Sequence, residues 1–160
     1  MRVSVELDDR AIVDAMNRAL GAARDLSPVM RDIGESLLNS TGERFGTQTA
    51  PDGSDWAKLS PTYKARKRRN RDKIGTLRGH LRATLAYDAG PDSVVIGSPR
   101  IYAGTFHFGA AKGAYGTSRR GLSIPWGDIP ARPVFGISDA DRTDIVEALH
   151  DHIVASIRRK

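Results

Sequence analysis

The stretch from Ser93 to Asp141 constrains the fold of this 160-residue chain more than any other. It opens with Val94-Val95-Ile96, an apolar run cut off by Gly97-Ser98-Pro99, which reads as a strand closed by a turn. Ile101, Tyr102, Ala103, Phe106 and Phe108 follow at spacings that suit one short helix or a wide turn pressed onto a core. Residues 109–123 are loop by composition and are expected to be mobile. Pro130-Ala131-Arg132-Pro133-Val134-Phe135-Gly136 then leads to Ser138-x-x-Asp141, a capping-box variant that starts a helix. Pro130 and Pro133 hold Arg132 extended, and Phe135 is expected to plug the core just ahead of the Ser138 cap. The stretch is a scaffold with a long loop hung on it.

The flanks supply helices. Val3, Val5 and Leu7 alternate with polar residues, which suits a short N-terminal strand, and Asp8 or Asp9 then caps a helix to about Arg24. Ile12, Val13, Met16, Ala19, Leu20 and Ala23 recur along that helix at helical spacing. Ser27-Pro28 starts a second helix, with Ser27 as N-cap, and Gly46 is its expected stop. Val29, Ile33, Leu37, Arg44 and Phe45 mark its inner face. Residues 46–61 read as an ordered loop, turned tightly at Pro51-Asp52-Gly53 and anchored by Trp56 and Leu59. A helical turn near residues 76–80 precedes a hairpin of 81–87 with 93–98. Ile145, Val146, Leu149, Ile153, Val154 and Ile157 define a C-terminal helix. The expected fold is α+β: a small antiparallel sheet packed against two N-terminal helices and one long C-terminal helix, with long ordered or mobile loops.

No cysteine is present, so disulfides and thiolate metal sites are excluded. The first residues have no apolar signal-peptide core, and no run approaches the length of a membrane span, so no membrane partner is expected. The four histidines give no chelating pair: His150 and His152, two apart on a helix, point their rings to different sides. Asp52 and Asp55 suit a turn and a cap as well as they suit a cation. No nucleophile–base pair, P-loop or dinucleotide fingerprint occurs, so the expectation is no enzyme, no catalytic residue, no cofactor and no metal.

Charge is the strongest remaining signal. Residues 1–60 carry a net −3, residues 61–82 a net +8, and residues 83–160 a net +1, so the whole excess sits in one patch. Lys64, Arg66, Lys67, Arg68, Arg69, Arg71 and Lys73 make up most of it. Such a run neutralises phosphates, docks on an acidic neighbour, or is simply a solvated face. Only Tyr63 stands near it, which argues against stacking on single strands.

The order of motifs carries a resemblance. Phe45, Pro51-Asp52-Gly53, Trp56, Leu59, Thr62 and Lys64 come first, then Leu77-Arg78-Gly79-His80-Leu81-Arg82-Ala83-Thr84. Val94 to Ser98, Tyr102-Ala103, Phe106-His107-Phe108-Gly109 and Ile129 to Gly136 complete the series. The series resembles the phage virion-morphogenesis family, which includes tail-completion proteins of Mu-like tailed phages, over roughly residues 28–157. One departure is Gly75-Thr76, where that family more often shows Thr-Gly ahead of the leucine.

The resemblance implies one virion-morphogenesis domain over residues 1–160; composition adds a basic segment at 62–73, more basic over 64–73 than the resemblance requires, and a mobile loop at 109–123. It implies a non-enzymatic structural protein acting in tail completion and head–tail joining, in the virion neck and, during assembly, in the host cytoplasm. The expected partners are further copies of the chain in a ring, as a hexamer, other neck and tail proteins, and DNA in the channel. A head-side connector or stopper, and a nucleic-acid-binding module using residues 64–73, are the alternatives. The interface or DNA-facing candidates are the seven cations of 64–73 with Arg119 and Arg120; Trp56, Tyr102, Phe106, Pro130, Arg132, Pro133 and Phe135 are the structural motif.

Overall fold

The computed structural model describes residues 10–158, and helix α2 (Ser27–Thr47) is the spine on which the rest is laid. Val29, Met30, Ile33, Gly34, Leu37, Thr41, Arg44 and Phe45 are buried along one of its faces, the helical spacing doing what the pattern required. Its ends differ from expectation. Ser27 is already helical; Asp25 Oδ1 accepts its backbone N–H at 3.1 Å, so the preceding turn takes the capping role. At the far end the helix overruns Gly46, and Gln48 closes it in the left-handed conformation, φ 62°. Gln48 also joins distant segments, its carbonyl accepting the Trp56 N–H and its side-chain oxygen the Ile74 N–H, both at 2.8 Å.

Two cores lie along this spine. The first holds Val29, Met30, Ile33 and Leu37, covered by Ala89, Val94 and Ile96 of a hairpin and by Ile145, Ala148 and Leu149 of α6 (Asp139–Arg158). The hairpin pairs β1 (Ala86–Ala89) with β2 (Val94–Gly97), antiparallel, Tyr87 opposite Ile96. Its first strand begins later than the alternation from Leu81 suggested. Residues His80–Ala83 are instead a helical turn, α4, because Leu81 is drawn into the second core. The expected turn near 76–80 thus falls slightly further along the chain. The N-terminal strand expected over Val3, Val5 and Leu7 lies outside the described residues.

Gly34 is where hairpin and spine come closest. A Cβ there would stand 2.3 Å from Tyr87 Cδ2, well inside contact distance. Gly34→Ala is expected to lower stability by about 1–3 kcal/mol, since overpacking outweighs the roughly 1 kcal/mol that alanine adds to a helix. Urea denaturation reads this directly, and a variant as stable as the parent would mean the hairpin lifts off α2 freely.

The second core gathers Phe45, Trp56, Ile74, Leu81, Ala103 and Val134, with Phe106 packed against it. Trp56 meets Phe45 and Phe106 edge-on, at centroid distances of 5.4 and 5.3 Å. Ala103 and Phe106 come from α5 (Ala103–Phe108), the short helix expected there. Helix α6 starts beside Arg44, crosses the first core, and ends beside α1 (Arg10–Arg24). The apolar stripe of α1 is a surprise: Ile12, Val13, Met16 and Leu20 are exposed, while Ala15, Ala19 and Ala22 are half-buried. Among the described residues no helix is long and apolar enough to cross a membrane.

Candidate functional site

The segment from Arg132 to Gly136 crosses the second core, where its main-chain polar groups must be satisfied away from water. Side chains meet most of that need. Trp56 Nε1 donates to the Pro133 carbonyl at 2.8 Å. His107 Nδ1 accepts the N–H groups of Val134 (3.0 Å) and Phe135 (3.2 Å). Arg44 Nη1 donates to the carbonyls of Val134 (2.6 Å) and Gly136 (3.0 Å). The Arg132 N–H itself goes to the Phe106 carbonyl at 3.0 Å. Side chains from α2, α5 and the 46–60 loop thus clamp this segment, while the two prolines expected to hold it extended lie at the surface.

Arg44 is the centre of this arrangement. Its Nη2 donates to Asp141 Oδ2 at 2.7 Å, a buried ion pair between α2 and the first turn of α6. Asp141 closes the expected capping box as well, accepting the Ser138 N–H at 2.8 Å while Ser138 Oγ accepts the Asp141 N–H at 3.1 Å. Burial alone would raise the Asp141 carboxyl. Hydrogen bonds from Ser40 and Ser138 and the Arg44 charge outweigh it and hold the carboxyl below its ordinary value.

The motif residues divide by role. Trp56 and Arg132 are buried and Phe106 half-buried. Arg132 donates to the carbonyls of Ala57 (2.7 Å) and Lys58 (3.2 Å), and its guanidinium lies over the Phe106 ring, so it ties the 46–60 loop to the clamp. Pro130 and Pro133 are exposed, and Tyr102 is exposed at the start of α5. Phe135 packs against the second core without being enclosed by it. Val134 fills the core at 1% exposure, and Phe135 is only half-buried beside the His107 ring. In an extended segment neighbouring side chains point to opposite sides, so only one of the two is fully enclosed.

His107 must be neutral to accept two N–H groups at Nδ1, and its burial lowers its pKa from the ordinary histidine value. The unfolded chain therefore binds a proton that the folded chain refuses. The stabilisation is complete above the unfolded pKa of 6.5 and is lost as pH falls from there toward the lower folded value. Denaturation of the parent and of His107→Gln at pH 7 and pH 5 should show a stability difference that shrinks at the acid end; an unchanged difference would mean His107 already titrates as it does in water.

The basic segment is a built structure. Ser60 Oγ accepts the Tyr63 N–H at 3.3 Å and Pro61 opens α3 (Pro61–Arg66). The helix stops because Lys67 turns inward. Its ammonium donates to the carbonyls of Asn70 and Lys73, and Arg71 Nε donates to the Lys67 carbonyl at 2.8 Å. Lys67, expected among the outward cations, is 3% exposed; an ammonium with three donors is the side chain that can satisfy converging carbonyls at the base of a turn. Burial pushes its pKa down, and Asp72 partly offsets that. Lys64, Arg66, Arg68, Arg69, Arg71 and Lys73 all face solvent, and none makes an ion pair among the described residues.

Arg119 and Arg120 belong to a different excursion and are exposed. Residues 109–123 are irregular, as composition indicated, yet they are tied across: Thr117 bridges to Ser123, Ala110 to Ile129, and the Tyr115 N–H donates to the Ile124 carbonyl at 2.8 Å. No hydrogen bond or ion pair among the described residues links this excursion to the basic segment. Asp52 accepts from the Ser54 N–H and hydroxyl, a turn. His152 Nε2 sits 3.2 Å from the carbonyls of Ala22 and Asp25, which ties α6 to the end of α1.

Sequence reasoning missed the Arg44–Asp141 pair and the part played by His107. Arg44 on an otherwise apolar inner face was the available signal, since a buried arginine requires a partner.

The phage virion morphogenesis family model matches residues 7–154. The chain is 30% identical over 161 aligned positions to protein G of Escherichia phage Mu, provisionally named a capsid assembly protein, covering 98% of this chain and 97% of that one. It is 24% identical to Mu-like prophage FluMu G protein 2 of Haemophilus influenzae, covering 98% and 99% of the two chains. No solved structure matches the chain significantly. The chain belongs to the phage virion morphogenesis family.

Proposed function

We propose that this chain is a structural, non-enzymatic protein of the tailed-phage particle that acts in tail completion and head–tail joining, as an oligomeric ring at the neck. The observation that carries the reading is the basic excursion. Six cations are held outward on a turn pinned from inside by Lys67 and anchored by buried Ile74. Like charges so fixed repel one another, and apart from the Arg71 bond to the Lys67 carbonyl the folded monomer gains nothing from displaying them. An acidic neighbour in a ring, or DNA passing through it, supplies the compensating attraction.

A head-side site for the same protein is the second reading, favoured by the capsid-assembly name of the Mu relative. The test uses a variant with Arg66, Arg68, Arg69 and Arg71 all changed to Gln, which leaves Lys67 in place. Its melting temperature should equal or exceed the parent's, most clearly at low salt. Supplied to a phage lacking the gene, it should yield finished heads and unjoined tails. Defective heads would favour the head-side reading. Wild-type yields of infectious particles across salt concentrations would make the run a solvated face and remove the argument.

A further inference from the structure

The charge on the basic excursion exceeds what a second copy of this chain can neutralise. Residues 61–82 carry a net +8, and all the other residues together a net −2. The exposed acids, moreover, stand on faces that hold cations of their own. On α2, Asp32, Glu35 and Glu43 are exposed with Arg31; on α6, Asp139, Asp144, Glu147 and Asp151 are exposed with Arg142 and Arg158. Helix α1, which lies beside α6, exposes Arg18 and Arg24 against Asp14. No helix exposes more than a net −2, and each copy added to an assembly brings a further +6. The compensating anion then falls to another kind of molecule.

The surface of the excursion indicates which kind. Tyr63 is the only large apolar side chain exposed from residue 60 to residue 76, so the patch lacks the apolar centre around which protein–protein contacts are built. Four of its six outward cations are Arg66, Arg68, Arg69 and Arg71, and the guanidinium fork matches phosphate oxygens. Their backbone is held before any partner arrives. Trp56 and Ile74 are buried at its two ends, and Lys67 ties the turn to the Asn70 and Lys73 carbonyls, so binding has little chain to order. Asp72 is the one acid in the segment, and its charge acts on Lys67. With a single exposed aromatic there is no platform on which unpaired bases could stack, which favours a duplex over a single strand.

We propose that residues 61–73 bind the phosphate backbone of double-stranded DNA without reading its sequence. The proposal rests on the reading of this excursion given above and names DNA, not an acidic neighbour, as what it meets.

Fluorescence anisotropy of the full chain with labelled duplexes of mixed sequence, a few helical turns long, provides the test. Duplexes of unrelated sequence should bind alike. Six phosphate contacts imply about a thousandfold loss of affinity between about 50 and 200 mM salt. Arg68→Gln with Arg69→Gln removes two of those contacts and should leave a loss of about a hundredfold over the same range. Arg119→Gln with Arg120→Gln lowers the net charge equally on a separate excursion and should keep the parent's salt dependence. All four side chains are exposed, so both variants should keep the parent's melting temperature. Equal weakening by the two pairs would mean that net charge alone acts, and polyglutamate of matched length binding as tightly as the duplex would make an acidic protein the partner; either result overturns the proposal. No binding to duplex at low salt would overturn it too, while leaving the neck reading to the complementation test above.

Discussion

Arg44→Met is expected to cost about 3–5 kcal/mol of unfolding free energy, the scale of breaking a buried ion pair from one side. The arginine loses its bonds to Asp141, Val134 and Gly136 at once, and the Asp141 carboxylate and the Val134 carbonyl stay in the interior. Asp141 is then a buried carboxylate with Ser40 and Ser138 as its remaining donors. Changing both residues, Arg44→Met with Asp141→Leu, should cost less than the two single changes added together, because no uncompensated charge is left. Guanidinium denaturation at constant slope gives all three numbers, and a single-variant loss under about 1 kcal/mol would mean that water reaches the pair. The acid limb supplies a second check. Because the folded-state pKa of Asp141 is depressed, its contribution is complete above the ordinary carboxylate value of 3.8 and is lost as pH falls through the lower folded value. The difference between parent and Asp141→Asn should therefore close in strong acid.

Trp56→Ala should be comparably severe, about 3–5 kcal/mol, for a different reason. Removing the indole opens a cavity between Phe45 and Phe106 and leaves the Pro133 carbonyl without its donor. Trp56→Phe keeps much of the ring contact and should lose only the bond and some volume, about 1–3 kcal/mol. Phe135→Ala should fall below Trp56→Ala, since that ring is only partly buried at the edge of the core. The ordering is read from denaturation midpoints. Equal losses for Trp56→Ala and Phe135→Ala would mean that the 130–136 segment, not the tryptophan, holds the core together. Trp56→Phe also leaves Trp126 as the one tryptophan, 74% exposed, so its emission should be that of a solvated indole.

Helices were the most legible part of this chain. The inner face of α2, the Ser60-Pro61 start of α3 and the Ser138–Asp141 box were each visible as local patterns, because they depend on residues within a turn or two. Boundaries were less so. Leu81 served a helical and an alternating pattern equally well, and the choice between them fell to which core had room for it. The α1 stripe shows the reverse failure. Its periodicity was real, but amphipathicity states only that a helix has an apolar face, and a monomer need not cover it.

From its own order of residues this chain determined an α+β architecture, a basic patch confined to one segment, and membership in a family of phage assembly proteins. Tertiary structure alone decided which of seven cations turns inward, which of two neighbouring apolar residues enters the core, and which arginine pairs with Asp141. Those outcomes rest on contacts between residues far apart in the chain: Arg44 with Asp141, His107 with Val134, Trp56 with Pro133. Composition and period report what a residue prefers. Burial and hydrogen-bond satisfaction in one packed interior decide which preferences are met, and that is settled only when all the segments are in place.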